Sequence, residues 1–520
     1  MPRDAYQLTG ATSRTILMIY AALCAVVLAY FATGVFGVDS YNHIARLTIE
    51  CAAPGDPLLD MWRIKLGLIP NLALDLINLP LCGLVAAEPL LAGIATVAML
   101  TVFACAWFLQ RAIIGRTDWP ILLVPALSFN LVTFMGYTNY LVGLAAFLLY
   151  AIYLFRKPFA ERPFLPLAIV SNIAGLLLCL CHAFAGMAGG LLLFFWMLGD
   201  TRWRDIRAVV RTGLMAAACY ILPVAFILLA DKGPTDINFL LESKFLSLFS
   251  ALMFGSGWRT ILLTFLWVAA AYAGLREGFA SLGAGTTRIL LGLLAFLLIV
   301  PTQIGAAVDI DSRTAVLLTV LFVICLRLDR PSPRAVSTIV GLAVVTIILQ
   351  LTIAIPARAK LHREVDEIRA AAATLPPYAT VFSINGSDVD YKLHYHMASV
   401  ATVAGRIFNP LEFSGKGMQP LDATPAFACR NVEVGRPLNR VESILVREPA
   451  FFHRRLSKVQ QKTFAYAQHW TSDFSHVLYL HEGKSRWTPA KGLVPIAQGS
   501  FFKIYANPAV PVPGPRGPCR

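Results

Sequence analysis

Where the first long apolar run ends, the chain reads Gly37-Val38-Asp39-Ser40-Tyr41-Asn42-His43-Ile44-Ala45-Arg46, with Glu50 one turn further on. At about 100° per residue of helix, Asp39, Asn42, His43, Arg46 and Glu50 fall in one sector, and Tyr41, Ile44, Ala45, Thr48 and Ile49 take the remainder. A carboxylate, an imidazole and a guanidinium on one stripe can move a proton and hold an anion. Asp39 is the candidate base, His43 either orients it or binds phosphate, and Arg46 suits a phosphate because a guanidinium matches two of its oxygens. Asn42 and Glu50 would support them. The plain alternative is that Asp39 caps the helix, His43 bonds to backbone and Arg46 pairs with Glu50. These readings differ physically: a capping carboxylate ringed by N–H groups is acidic, whereas one partly desolvated at an interface is shifted upward.

Further along, Trp62-Arg63-Ile64-Lys65 brings Arg63 and Lys65 close to the bilayer, where they either bind a lipid phosphate or snorkel to headgroups. Asp309-Ile310-Asp311-Ser312-Arg313 sets two acids and an arginine inside an apolar region. Arg313 is there a candidate for a donor phosphate, with Asp311 and Asp309 holding it, against a helix start that neutralises itself. Asp-x-Asp is also a metal-like pair, but no third ligand is in view, so a divalent ion is not favoured. His182, at the outer end of its apolar run, is a weaker lining candidate. Lys244 and Arg259 fall near a loop, 231–258, whose Phe239, Leu240, Phe245, Leu246 and Phe249 either lie on the membrane or form a lid. His362, His394 and His396 have no Cys or carboxylate at metal spacing, so no metal or other cofactor is expected.

The elements that must position these groups are apolar. Of 520 residues, 57% are hydrophobic and only 14% charged, with a mean hydropathy of +0.65, which excludes an ordinary soluble globule. The formal charge of +14 comes from basic residues scattered among short loops, a pattern of membrane orientation and not of nucleic-acid binding. The first apolar run has no small-residue cleavage signal and reads as a retained anchor. Spans are expected at about 15–36, 90–113, 120–135, 139–155, 164–184, 187–199, 209–230, 259–275, 288–306, 313–326 and 335–356, with 67–87 as a juxtamembrane helix. This parity puts Arg111, Arg116, Arg156, Lys157, Arg202, Arg207, Arg211, Arg276, Arg288 and Arg334 inside, and Asp39 outside.

The expected class is therefore mainly α: a polytopic bundle of about 11 spans over 1–356, with juxtamembrane helices in the outer loop 37–88. After Pro356 charge becomes dense, a helix is expected over 357–374, and strands over 379–384, 475–480 and 501–505, making 357–508 a small α/β domain on the outer face. The Pro-rich tail, 509–520, reads as unstructured. Six cysteines lie in apolar runs as packing residues; Cys51, Cys82, Cys429 and Cys519 lie outside them and are available for disulfides that sequence cannot pair.

An inner amino terminus, an acid just beyond span one, a long first outer loop, many spans and a terminal outer domain together resemble the glycosyltransferase C superfamily, with Asp39 as the sharpest mark. Three patterns, Asp39-x-x-Asn42-His43-x-Ala45-Arg46, Ile69-Pro70-Asn71-Leu72-Ala73-x-Asp75-Leu76, and Tyr395-His396-x-Ala398 with Gln419-Pro420, are similar to a group of uncharacterised bacterial multi-span proteins. The resemblance implies transfer of a sugar from a polyprenyl-phosphate carrier to an envelope glycan, lipid or protein on the outer face of a bacterial inner membrane. The second acid many members carry is missing from the second outer loop, Gly136-Tyr137-Thr138-Asn139, leaving Asp56 or Asp60 for that part. The competing expectations are a transporter or flippase of a lipid-linked or envelope substrate, and a catalytically silent scaffold of the same fold. Against transport, acids and bases collect at the outer ends of the spans and not along a path through them.

Overall fold

The computed structural model of the protein describes residues 10–34, 37–199, 205–230, 237–255, 258–277, 280–304, 309–329, 331–386, 394, 396–412, 419–431, 465–467, 469–481 and 487–514. In chain order the helices are α1 (Gly10–Ala32), α2 (Val38–Glu50), α3 (Pro57–Met61), α4 (Ala73–Asn78), α5 (Ala87–Ile114), α6 (Leu131–Met135), α7 (Thr138–Phe155), α8 (Phe164–Cys181), α9 (Ala183–Leu198), α10 (Ile206–Ala218), α11 (Ile221–Leu229), α12 (Leu241–Ser247), α13 (Trp258–Arg276), α14 (Ala284–Ile299), α15 (Ile310–Cys325), α16 (Pro333–Ala372) and α17 (Ala398–Gly405). The strands used below are β1 (Trp62–Ile64), β2 (Ile237–Asn238), β3 (Ala280–Ser281), β4 (Gln303–Ile304), β5 (Arg327–Leu328), β6 (Val381–Asn385), β7 (Leu421–Ala423), β8 (His476–Leu480), β9 (Val494–Gln498) and β10 (Phe502–Ala506). Two compact units result: a helical unit of Met1–Val35, Ala92–Leu229 and Ile237–Ile355, and a second unit of Phe36–Leu91, Ala230–Asp236 and Pro356–Arg520.

The helical unit makes this a multi-pass membrane protein. Backbone groups in lipid must be satisfied within their own segment, which is why long apolar runs fold as helices. Among the described residues six helices are long and apolar enough to cross a membrane: those at Thr12–Ala32, Ala87–Ile114, Thr138–Phe155, Phe164–Cys181, Trp258–Arg276 and Pro333–Ala372. A seventh is added if the pair α10 and α11, bent by 65°, counts as one span. By length and composition alone this is fewer than the eleven crossings expected, with shorter apolar helices at Trp119–Met135, Ala183–Leu198 and Gly285–Ile299 besides. The run at 120–135 shows one reason: Pro120 and Pro125 lack amide hydrogens, and the segment breaks into two 3₁₀ turns and the five-residue α6, capped by Asn130. α9, α14 and α15 are apolar but only 16 residues each.

The second unit is built from both ends of the chain. Its sheet runs β6-β8-β10-β9, with β6 parallel to β8 and the other pairs antiparallel, over a core that includes Phe382, Trp470, Phe474 and Tyr479. All three expected strands lie in this sheet. The loop 37–88 belongs to the same unit: β1 pairs antiparallel with β7, and Trp62 stacks on Phe408 at 4.9 Å in a core shared with Ile49, Leu58 and Phe427. The helix expected over 67–87 is shorter than that, comprising α4 and a 3₁₀ turn at Leu79–Leu81 with Pro80 inside it. A disulfide joins Cys51, at the end of α2, to Cys82.

Candidate functional site

α2 begins at Gly37, whose φ of 122° suits glycine, and no side chain caps it. The capping role considered for Asp39 is therefore not taken. Instead Asp39 and His43, four residues apart, meet on the inner face with Nε2 of His43 3.1 Å from Oδ2 of Asp39. Nε2 of His396 lies 3.5 Å from the other oxygen. Both histidines are buried, while the Asp39 side chain keeps 18% exposure. Burial pushes the Asp39 carboxyl up, but His43, His396 and Arg46 outweigh it and hold the group below the usual carboxylate range. The upward shift expected of a partly desolvated base is thereby reversed. His396 is driven the other way: burial, with His43 nearby, takes it down to about 4 against the pull of Asp39, so the ring is neutral at pH 7.

One turn on, Arg46 has partners other than those expected. Its Nε lies 2.7 Å from Oδ1 of Asp75, its Nη2 donates to Oδ2 at 3.2 Å, and its Nη1 donates to Gln419. At 1% exposure this guanidinium is enclosed, held by Asp75 and Gln419. Glu50 is not its ion-pair partner. Burial and then Asp75 push the Glu50 carboxyl well up, and Asn78 donates to it at 2.9 Å while also donating to the Leu47 carbonyl. Asn42 is buried on the same face. The three sequence patterns thus converge: Asp39, His43 and Arg46 meet Asp75 of the second and His396 and Gln419 of the third. Tyr395 lies outside the described residues.

Sequence reasoning missed Asp75, His396 and Gln419 as members of this cluster. The available signal was their recurrence in quoted patterns; spacing could not show it, because His396 and Gln419 arrive from the far end of the chain. Arg63 pairs across β1 and β7 with Asp422 at 2.7 Å, both exposed. Lys65 is exposed, and its backbone amide donates to the Pro420 carbonyl. Asp56 caps α3 through the Leu58 amide and pairs with Arg406, while Asp60 accepts from Tyr378.

The remaining candidates sit in the helical unit. Asp309, with φ 55°, precedes α15 and accepts from the Tyr137 hydroxyl at 2.9 Å. Asp311, fully buried, accepts from Ser243 at 2.7 Å and Thr302 at 3.3 Å, and Lys244 lies 3.6 Å away. It thus holds Lys244 and not Arg313. The Arg313 guanidinium lies 4.2 Å from the centre of the Tyr137 ring, is 7% exposed, and among the described residues has no carboxylate partner. His182 is a cap: its Nδ1 accepts the Phe184 amide at 3.1 Å where α8 gives way to α9. Among the described residues no group of three or more His, Cys, Asp and Glu is arranged to hold a metal ion.

The chain is similar to the crystal structure of ArnT from Cupriavidus metallidurans bound to undecaprenyl phosphate, with 10% identity and a TM-score of 0.49 across 95% of this chain and 98% of that one. It is similar also to ArnT from the same organism in the apo state, with 11% identity and a TM-score of 0.48 across 96% and 99% of the two chains. No protein-family model and no curated protein matches it.

Proposed function

We propose that the protein is a membrane glycosyltransferase that moves a sugar from a polyprenyl-phosphate-linked donor to a hydroxyl of an envelope glycan, lipid or protein. One observation carries this reading: the Asp39 carboxylate caps nothing and has an imidazole against each oxygen. As the acceptor oxygen bonds the anomeric carbon and the lipid phosphate leaves, the hydroxyl proton needs a base. Asp39 is that base. It is ionised at neutral pH and is the most exposed of the three groups. His43 and His396 fix its orientation and share the proton it receives. The departing phosphate is a stable anion and needs a cation more than an acid.

The cysteines support a sidedness. Cys51 and Cys82 are bonded to one another, Cys429 is also disulfide-bonded, and all three belong to the second unit, whereas the six free cysteines belong to the helical unit. Disulfides persist in oxidising compartments, which favours a second unit outside a bacterial inner membrane and an amino terminus in the cytosol. Mass spectrometry of envelope glycolipids and glycans from cells with wild-type protein, none, and Asp39→Asn tests the assignment. A sugar present only with the wild type supports it; the same profile in all three overturns it.

A further inference from the structure

Two arginines of the helical unit take no part in the chemistry above. Asp205 opens α10 by accepting the Ala208 amide at 3.0 Å, and Arg207 and Arg211 follow, one turn apart on the face that also carries Val210 and Leu214. Both are exposed, and among the described residues neither has a hydrogen-bond or ion-pair partner. The opposite end of α10 is pinned to α8. Asn172 donates to the Ala218 carbonyl at 3.3 Å and accepts the Leu222 amide at 2.8 Å, spanning the bend between α10 and α11. Gly175 permits this approach, since a Cβ there would run into Pro223 and Tyr220. Between this pin and Phe164, at the start of α8, runs a groove of about 530 Å³ walled by Val210, Leu214 and Met215 and flanked by the two arginines.

An apolar wall that ends in two cations with no anionic partner among the described residues matches a ligand with an apolar tail and an anionic head. A neutral lipid covers the wall but leaves both guanidiniums without an anion; a soluble anion meets the guanidiniums but leaves the wall bare. A lipid phosphate satisfies both, because guanidiniums bind phosphate oxygens in pairs while their stems lie along apolar surface. We propose that this groove is a binding site for an anionic phospholipid, with Arg207 and Arg211 on its phosphate and its acyl chains along Val210, Leu214 and Met215. The site is independent of the transferase reading and stands or falls separately from it.

Native mass spectrometry of the full-length protein in neutral detergent, with phosphatidylglycerol and phosphatidylcholine in equal amounts, tests the proposal. A basic residue near an anionic lipid surface gives about a fivefold preference, so the wild type should retain phosphatidylglycerol over phosphatidylcholine by about tenfold or more, and R207Q/R211Q should bring the two to parity. The single variants R207Q and R211Q, each keeping one cation, should each lose about fivefold and serve if the double variant fails to fold. Equal retention of both lipids by the wild type, or an unchanged preference in the variants, overturns the proposal. Displacement of phosphatidylglycerol by millimolar inorganic phosphate overturns it too, because it would assign the arginines to a soluble anion.

Discussion

Arg46 and Asp75 meet with Nε 2.7 Å from Oδ1, and neither side chain is more than 1% exposed. The beginning of the loop 37–88 is thereby tied to its later part by one buried charge pair, while neighbouring Glu50, with its carboxyl pushed up, stays an acid. Removing one partner of such a pair strands the other charge away from water, at about 3–5 kcal/mol. Asp75→Asn should therefore lower stability by that amount in thermal or denaturant unfolding in detergent, and Arg46→Met with Asp75→Leu should recover much of the loss. An Asp75→Asn protein as stable as the wild type would show that the pair does not balance Arg46.

Asp39→Asn separates catalysis from structure. The helix start depends on Gly37 and not on an Asp39 cap, so folding should survive. Loss of a general base costs about 10²–10⁴-fold in rate, and transfer to the acceptor should fall by that factor with the unfolding midpoint little changed. His43→Gln, which keeps a donor toward Oδ2 but cannot share the proton, should fall between the two. An assay of sugar transfer in membranes, paired with a melting curve, reads both quantities; full activity in Asp39→Asn removes Asp39 from the chemistry.

Much of the architecture could be read from the chain because it depends on local composition. Apolar runs give helices, and the alternating segments at Val381–Asn385, His476–Leu480 and Phe502–Ala506 give the strands. The helical stripe of Asp39, His43 and Arg46 was equally legible, since one turn of helix sets it. Its partners were not. Asp75 reaches it through the packing of α4 on α2 and the Cys51–Cys82 bridge, and His396 and Gln419 through the packing of α17 on α2 and the β1–β7 pairing; no periodicity encodes such long-range pairings. The direction of the Asp39 shift was misjudged because the pull of His43, its largest lowering cause and legible in the local sequence, was set below burial; His396, which adds to that pull, comes from a distant segment.

Cys51 ends α2, and its sulfur accepts from Asn78 while bonded to Cys82. The bridge closes a loop with a sequence separation of 31, for which loop-closure entropy gives about 3–4 kcal/mol. Cys51→Ser with Cys82→Ser should lower the unfolding midpoint accordingly. A reducing agent also opens the Cys429 disulfide in both proteins, so it should lower the wild-type midpoint by more than that of the double variant, the excess being the Cys51–Cys82 contribution. Equal midpoints for the two proteins, with and without reductant, would show that the bridge contributes nothing beyond the surrounding packing.

His396 and Glu412 make stability depend on pH in opposite directions. His396 is held near 4 against an ordinary 6.5. Between those values the unfolded chain binds a proton that the folded chain refuses, so this residue's effect is for stability to fall as pH drops from 6.5 to 4. Glu412, fully buried, is pushed by burial up to about 7 from 4.5, against the pull of the Thr402 and Ser399 hydroxyls. There the folded chain keeps a proton the unfolded chain has released, so stability is lost as pH rises from 4.5 through 7. Each effect is on the order of 3 kcal/mol, and in the wild type they largely cancel between pH 4.5 and 6.5. His396→Gln should leave the Glu412 slope exposed, with stability falling as pH rises. Glu412→Gln should leave the His396 slope, with stability rising. Melting midpoints measured every half unit of pH distinguish the two, and parallel curves for both variants would show that neither group is perturbed by its surroundings.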